Sequence, residues 1–313
     1  SGSHFVEELL SKDIKVIGIS RSLEQNAFFL PYKWKENQLK NACGKNYKYY
    51  QINLNSDLPE LIEIIDKYKP EYIVNFAAQG MVAESWLNPT DWYQTNVVSQ
   101  VALHDELRKR LFIKKYIHVT TPEVYGSCEQ GWIKEDTTFN PTTPYAVSRA
   151  ACDLHLQSFY KAYKFPVIFT RAANVFGPGQ QLYRIIPRTI LSCLTGEKLY
   201  LDGGGYSERS FINIKDVAKA TLLLATKGDP GTSWHLSTKE SITIRNLVKL
   251  ICDLTNTTFE SIVIETEDRL GKDQSYLLNS DSIREKYNWT DTISLEDGLI
   301  ETLNWINDNI EVA

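Results

Sequence analysis

Short apolar runs alternate with helical patterns through the first half of the chain, and this alternation constrains the fold more than any other feature. Strands are predicted at residues 15–19, 72–76, 115–120 and 167–170. Helices are predicted around them, at residues 4–12, 58–68, 91–110 and 145–163. Strands that are apolar throughout are buried on both faces, which is typical of a parallel sheet covered by helices. The sequence therefore predicts an α/β fold with a doubly wound parallel sheet, in which ligands bind beyond the carboxyl ends of the strands.

The second half of the chain is less regular and predicts a smaller α+β lobe. Glycine-rich loops are expected at residues 177–179 and 202–205, and helices at 185–194, 214–226, 244–255 and 295–309. The chain opens at what resembles a loop–helix junction, and Met81 is its only methionine. We therefore expect a further strand upstream of the first helix.

Composition and charge exclude several classes of protein. Lysine and arginine number 34 against 39 aspartate and glutamate, so the net charge is −5 and no basic surface indicates nucleic acid. No apolar run approaches the ~20 residues that span a bilayer, and no signal peptide is visible. The five histidines are scattered, so no metal site is predicted. An odd number of dispersed cysteines favours reduced thiols in a cytoplasmic protein. These cysteines are Cys43, Cys128, Cys152, Cys193 and Cys252.

Residues that follow the predicted strands are candidates for binding a dinucleotide. Arg21 and Ser22 follow the first strand, where an acidic residue would bind the hydroxyls of an adenosine ribose. That acid is absent and an arginine accommodates a 2′-phosphate, so Arg21 favours NADP, although a solvated loop arginine is the simpler reading of Arg21 alone. The residues at the ends of the next two strands would let a dinucleotide approach the backbone closely. Tight packing of each strand against the following helix explains the choice of these residues equally well. These strand ends carry Asn53, Leu54, Ala77, Ala78 and Gln79.

Two further segments carry groups that can move a proton. Thr121 and Glu123 follow the strand at 115–120, which places a hydroxyl and a carboxylate at the functional edge of the sheet. Tyr145 and Arg149 are four residues apart in the next helix and lie on one face of it. A cation near a phenol is expected to lower the pKa of the phenol, which makes Tyr145 a candidate base. The alternatives are a turn cap at Thr121, a surface charge at Glu123 and ordinary helix packing.

Seven short motifs, taken in their order, resemble the extended short-chain dehydrogenase/reductases that act on nucleotide sugars, such as the 4,6-dehydratases and 4-epimerases. The resemblance covers essentially the whole chain. The motifs lie at residues 2–4, 75–79, 120–126, 174–179, 209–212 with 216–218, 269–273 and 288–289. The resemblance implies a Rossmann-like dinucleotide-binding domain at residues 1–173, and the chain returns to this domain at residues 209–236. It also implies a nucleotide-sugar-binding lobe at residues 174–208 and 237–313.

The same resemblance implies a role for each candidate residue. Tyr145 would remove the C4 hydroxyl proton of the sugar and Thr121 would hydrogen-bond the C4 oxygen. Glu123 would remove the C5 proton and help to expel the C6 hydroxyl as water. Further contacts with NAD or NADP are expected from Gly2, Thr120, Tyr145 and Arg149. Substrate contacts are expected from Thr121, Asn174, Arg184, Arg209 and Arg269, the three arginines facing the diphosphate.

Two positions depart from the family pattern. Arg149 stands where the family has a lysine; it keeps the charge but carries a planar, bulkier group. Pro122 stands where the dTDP-glucose dehydratases have an aspartate implicated in protonating the departing hydroxyl. In the GDP-mannose dehydratases that position is not acidic either, and the glutamate that follows it takes over the role of the aspartate. Glu123 corresponds to that glutamate.

The leading hypothesis is therefore a nucleotide-sugar 4,6-dehydratase that gives a 4-keto-6-deoxy sugar. A 4-dehydrogenase or 4-epimerase without loss of water is the alternative that Pro122 favours. A non-catalytic dinucleotide-binding regulator is the third hypothesis, for which Arg149 is the sole support. The loop at Arg21 resembles that of GDP-mannose dehydratases and favours GDP slightly. Relatives commonly dimerise through the helices predicted at 91–110 and 145–163, so a homodimer is expected.

Overall fold

The structure is a computed structural model that describes residues 1–34, 44–127, 131–268 and 275–311. Its strands are β1 (Val16–Ser20), β2 (Tyr47–Gln51), β3 (Tyr72–Asn75), β4 (Lys115–Val119), β5 (Trp132–Ile133), β6 (Val167–Ala172), β7 (Asn174–Phe176), β8 (Leu199–Asp202), β9 (Glu208–Arg209), β10 (Phe211–Asn213), β11 (Ser233–Leu236), β12 (Ile242–Thr243), β13 (Val263–Thr266) and β14 (Leu277–Leu278). Its α-helices are α1 (Gly2–Leu10), α2 (Pro31–Trp34), α3 (Leu58–Tyr68), α4 (Pro89–Tyr93), α5 (Ser99–Leu107), α6 (Pro144–Tyr163), α7 (Ile185–Thr195), α8 (Ile214–Lys227), α9 (Ile244–Leu254), α10 (Phe259–Ile262), α11 (Asp281–Tyr287) and α12 (Leu295–Asn307). Short 3₁₀ helices lie at Ala27–Phe29, Ala83–Trp86, Pro122–Tyr125 and Gly203–Gly205, and a π-helical segment joins α4 to α5 at Gln94–Val98.

Four parallel strands form the central sheet in the order β11–β6–β4–β3. The strands β1 and β2 form a second parallel pair, which has no ladder to β3 in the described part of the chain. The predicted α/β fold with a parallel sheet is confirmed. The strand expected upstream of α1 stays a prediction.

Helices cover both faces of the central sheet, which explains why its strands are apolar throughout. Tyr116 and Phe169 point to the face covered by α3, α5 and α6, and pack against buried side chains such as Leu107. Ile117 and Ile168 point to the opposite face, where α8 and α11 cover them. Because successive strand residues alternate between faces, covering both faces requires apolar residues at every position.

The helix predicted at 91–110 is interrupted in the structure. It consists of α4, the π-helical segment and α5, and the α-helix ends at Leu107. A π-helical turn accommodates one extra residue and is rare outside functional sites. The predicted helices at 58–68, 145–163 and 214–226 agree with α3, α6 and α8 to within one residue at each end.

The later elements pack beside the carboxyl edge of the sheet around a core of their own. Helices α7, α9 and α12 enclose Phe176, Ile190, Leu247 and Trp305. Three short strand pairs, β7–β10, β8–β13 and β9–β12, tie these helices together. Among the described helices, none has both the length and the apolar character required to cross a membrane.

Candidate active site

The carboxyl ends of β1, β2, β3 and β4 open onto one cleft with a volume of about 2240 Å³. The residues predicted to bind the cofactor that line it are Gly2, Arg21, Ser22, Asn53, Leu54, Ala77, Ala78, Gln79 and Thr120. The predicted catalytic and substrate-binding residues that line it are Thr121, Glu123, Tyr145, Asn174, Arg184 and Arg209. Arg149 is buried behind this lining, and Arg269 lies outside the described residues. The fold thus brings residues from nine separate segments to one cavity.

The π-helical segment holds the loop that follows β3. Asn96 is fully buried; its Oδ1 accepts from the Gln79 amide at 2.7 Å, and its Nδ2 donates to the Gln79 carbonyl at 3.0 Å. The same Nδ2 donates to Ser148 Oγ of α6 at 3.0 Å. Four residues on, Gln100 donates to the Ala77 carbonyl at 2.9 Å. Sequence reasoning missed both residues, although two polar side chains four apart on an otherwise apolar helix face were an available signal.

Arg21 lies at the exposed rim of the cleft, beside the loop that Asn96 holds. Its Nη1 donates to Gln79 Oε1 at 3.3 Å, and its carbonyl accepts from Gln51 Nε2 at 3.2 Å. The Tyr49 hydroxyl donates to the carbonyl of Ser22. These bonds position the loop, while the guanidinium group itself remains exposed and available to an anion or an aromatic ring.

Thr121, Glu123 and Tyr145 meet at the end of β4. Thr121 caps the 3₁₀ helix that follows, its Oγ1 accepting from the Glu123 amide at 3.3 Å. Thr121 and Glu123 both lie close enough to the Tyr145 phenol to affect its pKa, the hydroxyl lowering it and the carboxylate raising it. Tyr145 is in the first turn of α6, which Thr143 caps by accepting from the Ala146 amide at 3.1 Å. The turn cap considered as an alternative for Thr121 is therefore present together with a contact to the phenol.

Burial raises the pKa of Tyr145 above its usual value. The Arg149 cation acts to lower this pKa, as expected from the spacing, and the Glu123 carboxylate acts to raise it. The expectation that the pKa of Tyr145 is lowered is therefore wrong, because the net shift is upward. Residue spacing locates the cation but does not reveal the loss of solvent around the phenol, and here the loss of solvent is the larger effect.

Arg149 occupies a buried position one turn behind Tyr145, where it is 2% exposed. Its Nη2 donates to the Val119 carbonyl at the end of β4, and its Nε and Nη1 have no hydrogen-bond partner among the described residues. Buried donors without a partner are costly. Because Arg149 does not line the cleft, the fit to a nicotinamide dinucleotide rests on the small residues that do, such as Ala77 and Ala78, which leave room for a dinucleotide beside the strand ends.

Asp153, one further turn along α6, supplies the negative charge beneath Arg149. It forms an ion pair with Arg171 at 2.6 Å and accepts from Thr120 Oγ1 at 3.0 Å. It thereby connects the buried cations to the strand end that lines the cleft. Neither Asp153 nor Arg171 was singled out from the sequence, since nothing in their spacing indicates that they meet.

The substrate side of the cleft is built around Tyr276. Its hydroxyl donates to Asn174 Oδ1 at 3.2 Å, and the Arg209 guanidinium lies 4.2 Å from the centre of its ring. Arg184 precedes α7 and lies 5.3 Å from the Tyr183 ring. Pro122 is buried at the start of the 3₁₀ helix, so Glu123 is the only acidic side chain in that described turn.

The chain was compared with protein families and with known proteins. The family described as GDP-mannose 4,6 dehydratase matches residues 1–302. The chain belongs to this family. A dTDP-D-glucose 4,6-dehydratase of Mus musculus is 31% identical over 271 residues, which are 85% of this chain and 75% of that protein. A dTDP-glucose 4,6-dehydratase of Haemophilus influenzae is 28% identical and covers 97% of this chain and 95% of its own length.

Solved structures of this dehydratase family and of related epimerases have the same fold. The dTDP-glucose 4,6-dehydratase DesIV of Streptomyces venezuelae, solved with NAD, has a TM-score of 0.88 and 27% identity, covering 99% of this chain and 94% of its own. A UDP-glucose 4-epimerase of Thermotoga maritima, solved with UDP-glucose, has a TM-score of 0.87 and 25% identity, covering 99% and 96%. The predicted resemblance to extended short-chain dehydrogenase/reductases of nucleotide sugars is therefore confirmed, and so is the enzyme class.

The charge of Arg149 is expected to set the pH at which Tyr145 becomes a base. Arg149→Met removes the cation that opposes the rise in the Tyr145 pKa, so the ascending limb of the pH profile should move to higher pH. Arg149→Lys, which keeps the charge, should return the limb toward the wild-type position. The measurement is the initial rate of nicotinamide reduction by the sugar substrate across a pH series. Superimposable profiles for wild type and Arg149→Met would contradict the assignment.

Proposed function

We propose that this protein is a nicotinamide-dependent 4,6-dehydratase that converts a nucleoside-diphosphate hexose into its 4-keto-6-deoxy product. The observation that carries the proposal is that Thr121, Glu123 and Tyr145 line the same part of the cleft, close enough for the first two to affect the pKa of the third. Relatives named 4,6-dehydratases match the chain along most of its length, which supports the same reaction.

The residues present fit a nicotinamide dinucleotide, which would supply the hydride acceptor for C4 of the sugar and the hydride donor for C6. Thr120 and Tyr145, which line the cleft, would contact the dinucleotide, while Arg149 lies behind them and would act through the Tyr145 phenol. The loop at Ala77 and Gln79, fixed by its bonds to Gln100 and Asn96, would keep the dinucleotide along the strand ends. Residues 1–173 with 209–236 would form the part that binds it, and 174–208 with 237–313 the part that binds the nucleotide sugar.

The side chains at the end of β4 would move the protons. Tyr145 takes the proton of the C4 hydroxyl, and Thr121, which lines the cleft beside it, holds the C4 oxygen. The resulting 4-ketone acidifies the C5 proton. Glu123 removes that proton and delivers it to the C6 hydroxyl, which departs as water and leaves a C5–C6 double bond. The product then requires a hydride at C6, which a bound nicotinamide would supply, and a proton at C5, which balances the one that Tyr145 took from the C4 hydroxyl.

The substrate would extend from the sugar at Tyr145 toward the lobe. Asn174, Arg184 and Arg209 line that end of the cleft and would bind the nucleoside diphosphate, because arginine pairs well with phosphate oxygens. Arg269, outside the described residues, stays a prediction for the same role. We propose GDP as the nucleotide on the resemblance of the Arg21 loop, and GDP-hexoses should be assayed beside their dTDP and UDP counterparts.

A second candidate function is a 4-epimerase or 4-dehydrogenase that never loses water. The observation that favours it is Pro122, whose buried ring places no proton donor where an acid would assist departure of the C6 hydroxyl. A structural neighbour solved with UDP-glucose is such an epimerase.

Substitution of Glu123 distinguishes the two candidates. Glu123→Gln keeps the side-chain shape but removes the base, so dehydration should fall by ~100- to 10,000-fold while nicotinamide reduction by the sugar persists. Tyr145→Phe should abolish the reduction as well. Product mass and exchange of the C5 hydrogen with deuterated solvent are the measurements. Wild-type protein that reduces its cofactor but neither exchanges C5 hydrogen nor loses water would overturn dehydration in favour of the second candidate.

Arg21 is proposed to bind the 2′-phosphate of NADP. A charge-assisted contact of this kind is worth about 1.5–3 kcal/mol, so Arg21→Ala should weaken NADP binding by roughly 10- to 100-fold and leave NAD binding nearly unchanged. Arg108→Ala, which removes an arginine directly after α5 and away from the cleft, is the matched control. Titration calorimetry with both dinucleotides measures the effect. Equal loss of affinity for NAD and NADP would instead place Arg21 against the adenine that the two share.

A homodimer is proposed through the helices α4 to α6. These helices present large apolar side chains to solvent, among them Val98 at 56% exposure and Leu154 at 55%. Exposed apolar patches on one surface are typical of protein interfaces. Val98→Arg with Leu154→Arg should give a monomer in sedimentation velocity at micromolar concentration, whereas Ile300→Arg on α12 should not change the mass. A wild-type monomer under these conditions would refute the interface.

A further inference from the structure

A group of metal-ligating side chains lies in the core, on the face of the sheet covered by α5 and α6. His104 of α5, His118 of β4 and Cys152 of α6 are each fully buried. One ligand atom from each lies within 4.8 Å of those of the other two. None of the three lines the candidate active site. The sequence predicted no metal site because these residues are far apart along the chain, and the fold brings them together.

His104 has one ring nitrogen in a hydrogen bond, whereas neither ring nitrogen of His118 has a hydrogen-bond partner among the described residues. His104 Nε2 lies 2.9 Å from the Tyr116 hydroxyl, and His118 Nε2 lies 3.3 Å from Asp153 Oδ1. The Nδ1 atom of each ring has no hydrogen-bond partner among the described residues. Histidines that bind a metal through one nitrogen usually hold a carboxylate or another polar group with the other, which fixes the ring. His118 with Asp153 has the arrangement of such a pair.

We propose that His104, His118 and Cys152 form a structural site for a divalent cation of the zinc class. Two neutral imidazoles and one thiolate are a ligand set that tetrahedral Zn²⁺ accepts, with a fourth position left for water or a neighbouring oxygen. Binding forms a metal–sulfur bond, and the thiol proton leaves to solvent; no group is oxidised or reduced. The site would join α5, β4 and α6 into one unit behind the cleft.

The charges around the cluster set the conditions for binding. Cys152 is fully buried and lies three residues after Arg149 in α6, and Asp153 adds a negative charge beside His118. Since the three ligands have no exposed surface, the ion would enter while the chain folds, and would then be held against exchange.

The site can be tested with cobalt as a spectroscopic substitute for zinc. The full chain is produced in minimal medium supplemented with Co²⁺, dialysed against chelator and analysed for metal and absorbance. One retained cobalt per chain is expected, with a thiolate-to-cobalt charge-transfer band and the visible bands of tetrahedral cobalt. Cys152→Ser should lose the charge-transfer band. Cys193→Ser should keep it, because Cys193 lies in the other lobe, 3.9 Å from Cys252.

Several results would overturn the proposal. Wild-type protein without cobalt after dialysis would show that the cluster is an ordinary buried polar group. A band that survives in Cys152→Ser, or that disappears in Cys193→Ser, would place the cobalt at other cysteines. X-ray absorption of zinc-loaded wild-type protein is independent of any variant. It should give one sulfur at about 2.3 Å and two imidazole nitrogens at about 2.0–2.1 Å, and a shell without sulfur contradicts the site.

Discussion

The carboxylate of Asp153 is the charge on which the buried part of the candidate active site depends. It pairs with Arg171 at 2.6 Å, lies 3.3 Å from His118 and accepts a hydrogen bond from Thr120. Burial acts to raise the pKa of Asp153, but Arg171, His118 and Arg149 together hold it below its usual value. The carboxyl therefore stays ionised at neutral pH, and its stabilising effect is lost only as the pH falls through that lowered pKa. Loss of its charge would leave buried guanidinium groups uncompensated, which costs about 3–5 kcal/mol for such a pair.

Helix α6 connects this charge to the cleft. Tyr145, Arg149 and Asp153 are spaced four residues apart, so they lie along one face of the helix at increasing depth. The first reaches the cleft, the second bonds the last carbonyl of β4, and the third is fully buried. The buried polar groups thus occupy the turns directly behind the phenol. A change in the tilt of α6 would therefore alter the buried ion pairs and the position of Tyr145 together.

Local sequence patterns were sufficient to predict three of the four strands of the central sheet, β3, β4 and β6, and most of its helices, whereas β11 was not predicted. The strands around Tyr116 and Ile168 could be recognised because burial on both faces requires a continuous apolar run. The position of the ligand-binding cleft could be predicted in the same way, because the residues that follow parallel strands share one edge of the sheet. Motif resemblance then selected Thr121 and Tyr145 among the residues at that edge, and the structure brings these two into contact.

What could not be predicted depends on contacts between distant residues. The sign of the Tyr145 pKa shift follows from the loss of solvent, and spacing along a helix contains no information about solvent. The His104–His118–Cys152 cluster joins three separate elements, so no motif of fixed length describes it.

The π-helical segment at Gln94–Val98 has a consequence for how this chain can vary. The segment places an additional residue in one turn, and Asn96 in that turn bonds both backbone groups of Gln79. A deletion of one residue there would restore ordinary α-helical winding and rotate everything that follows by about 100°. Gln100 would then turn away from the loop after β3, and Leu103 away from the core. The number of residues in this turn is therefore as constrained as their identity, and shortened homologues should not be found without a compensating insertion.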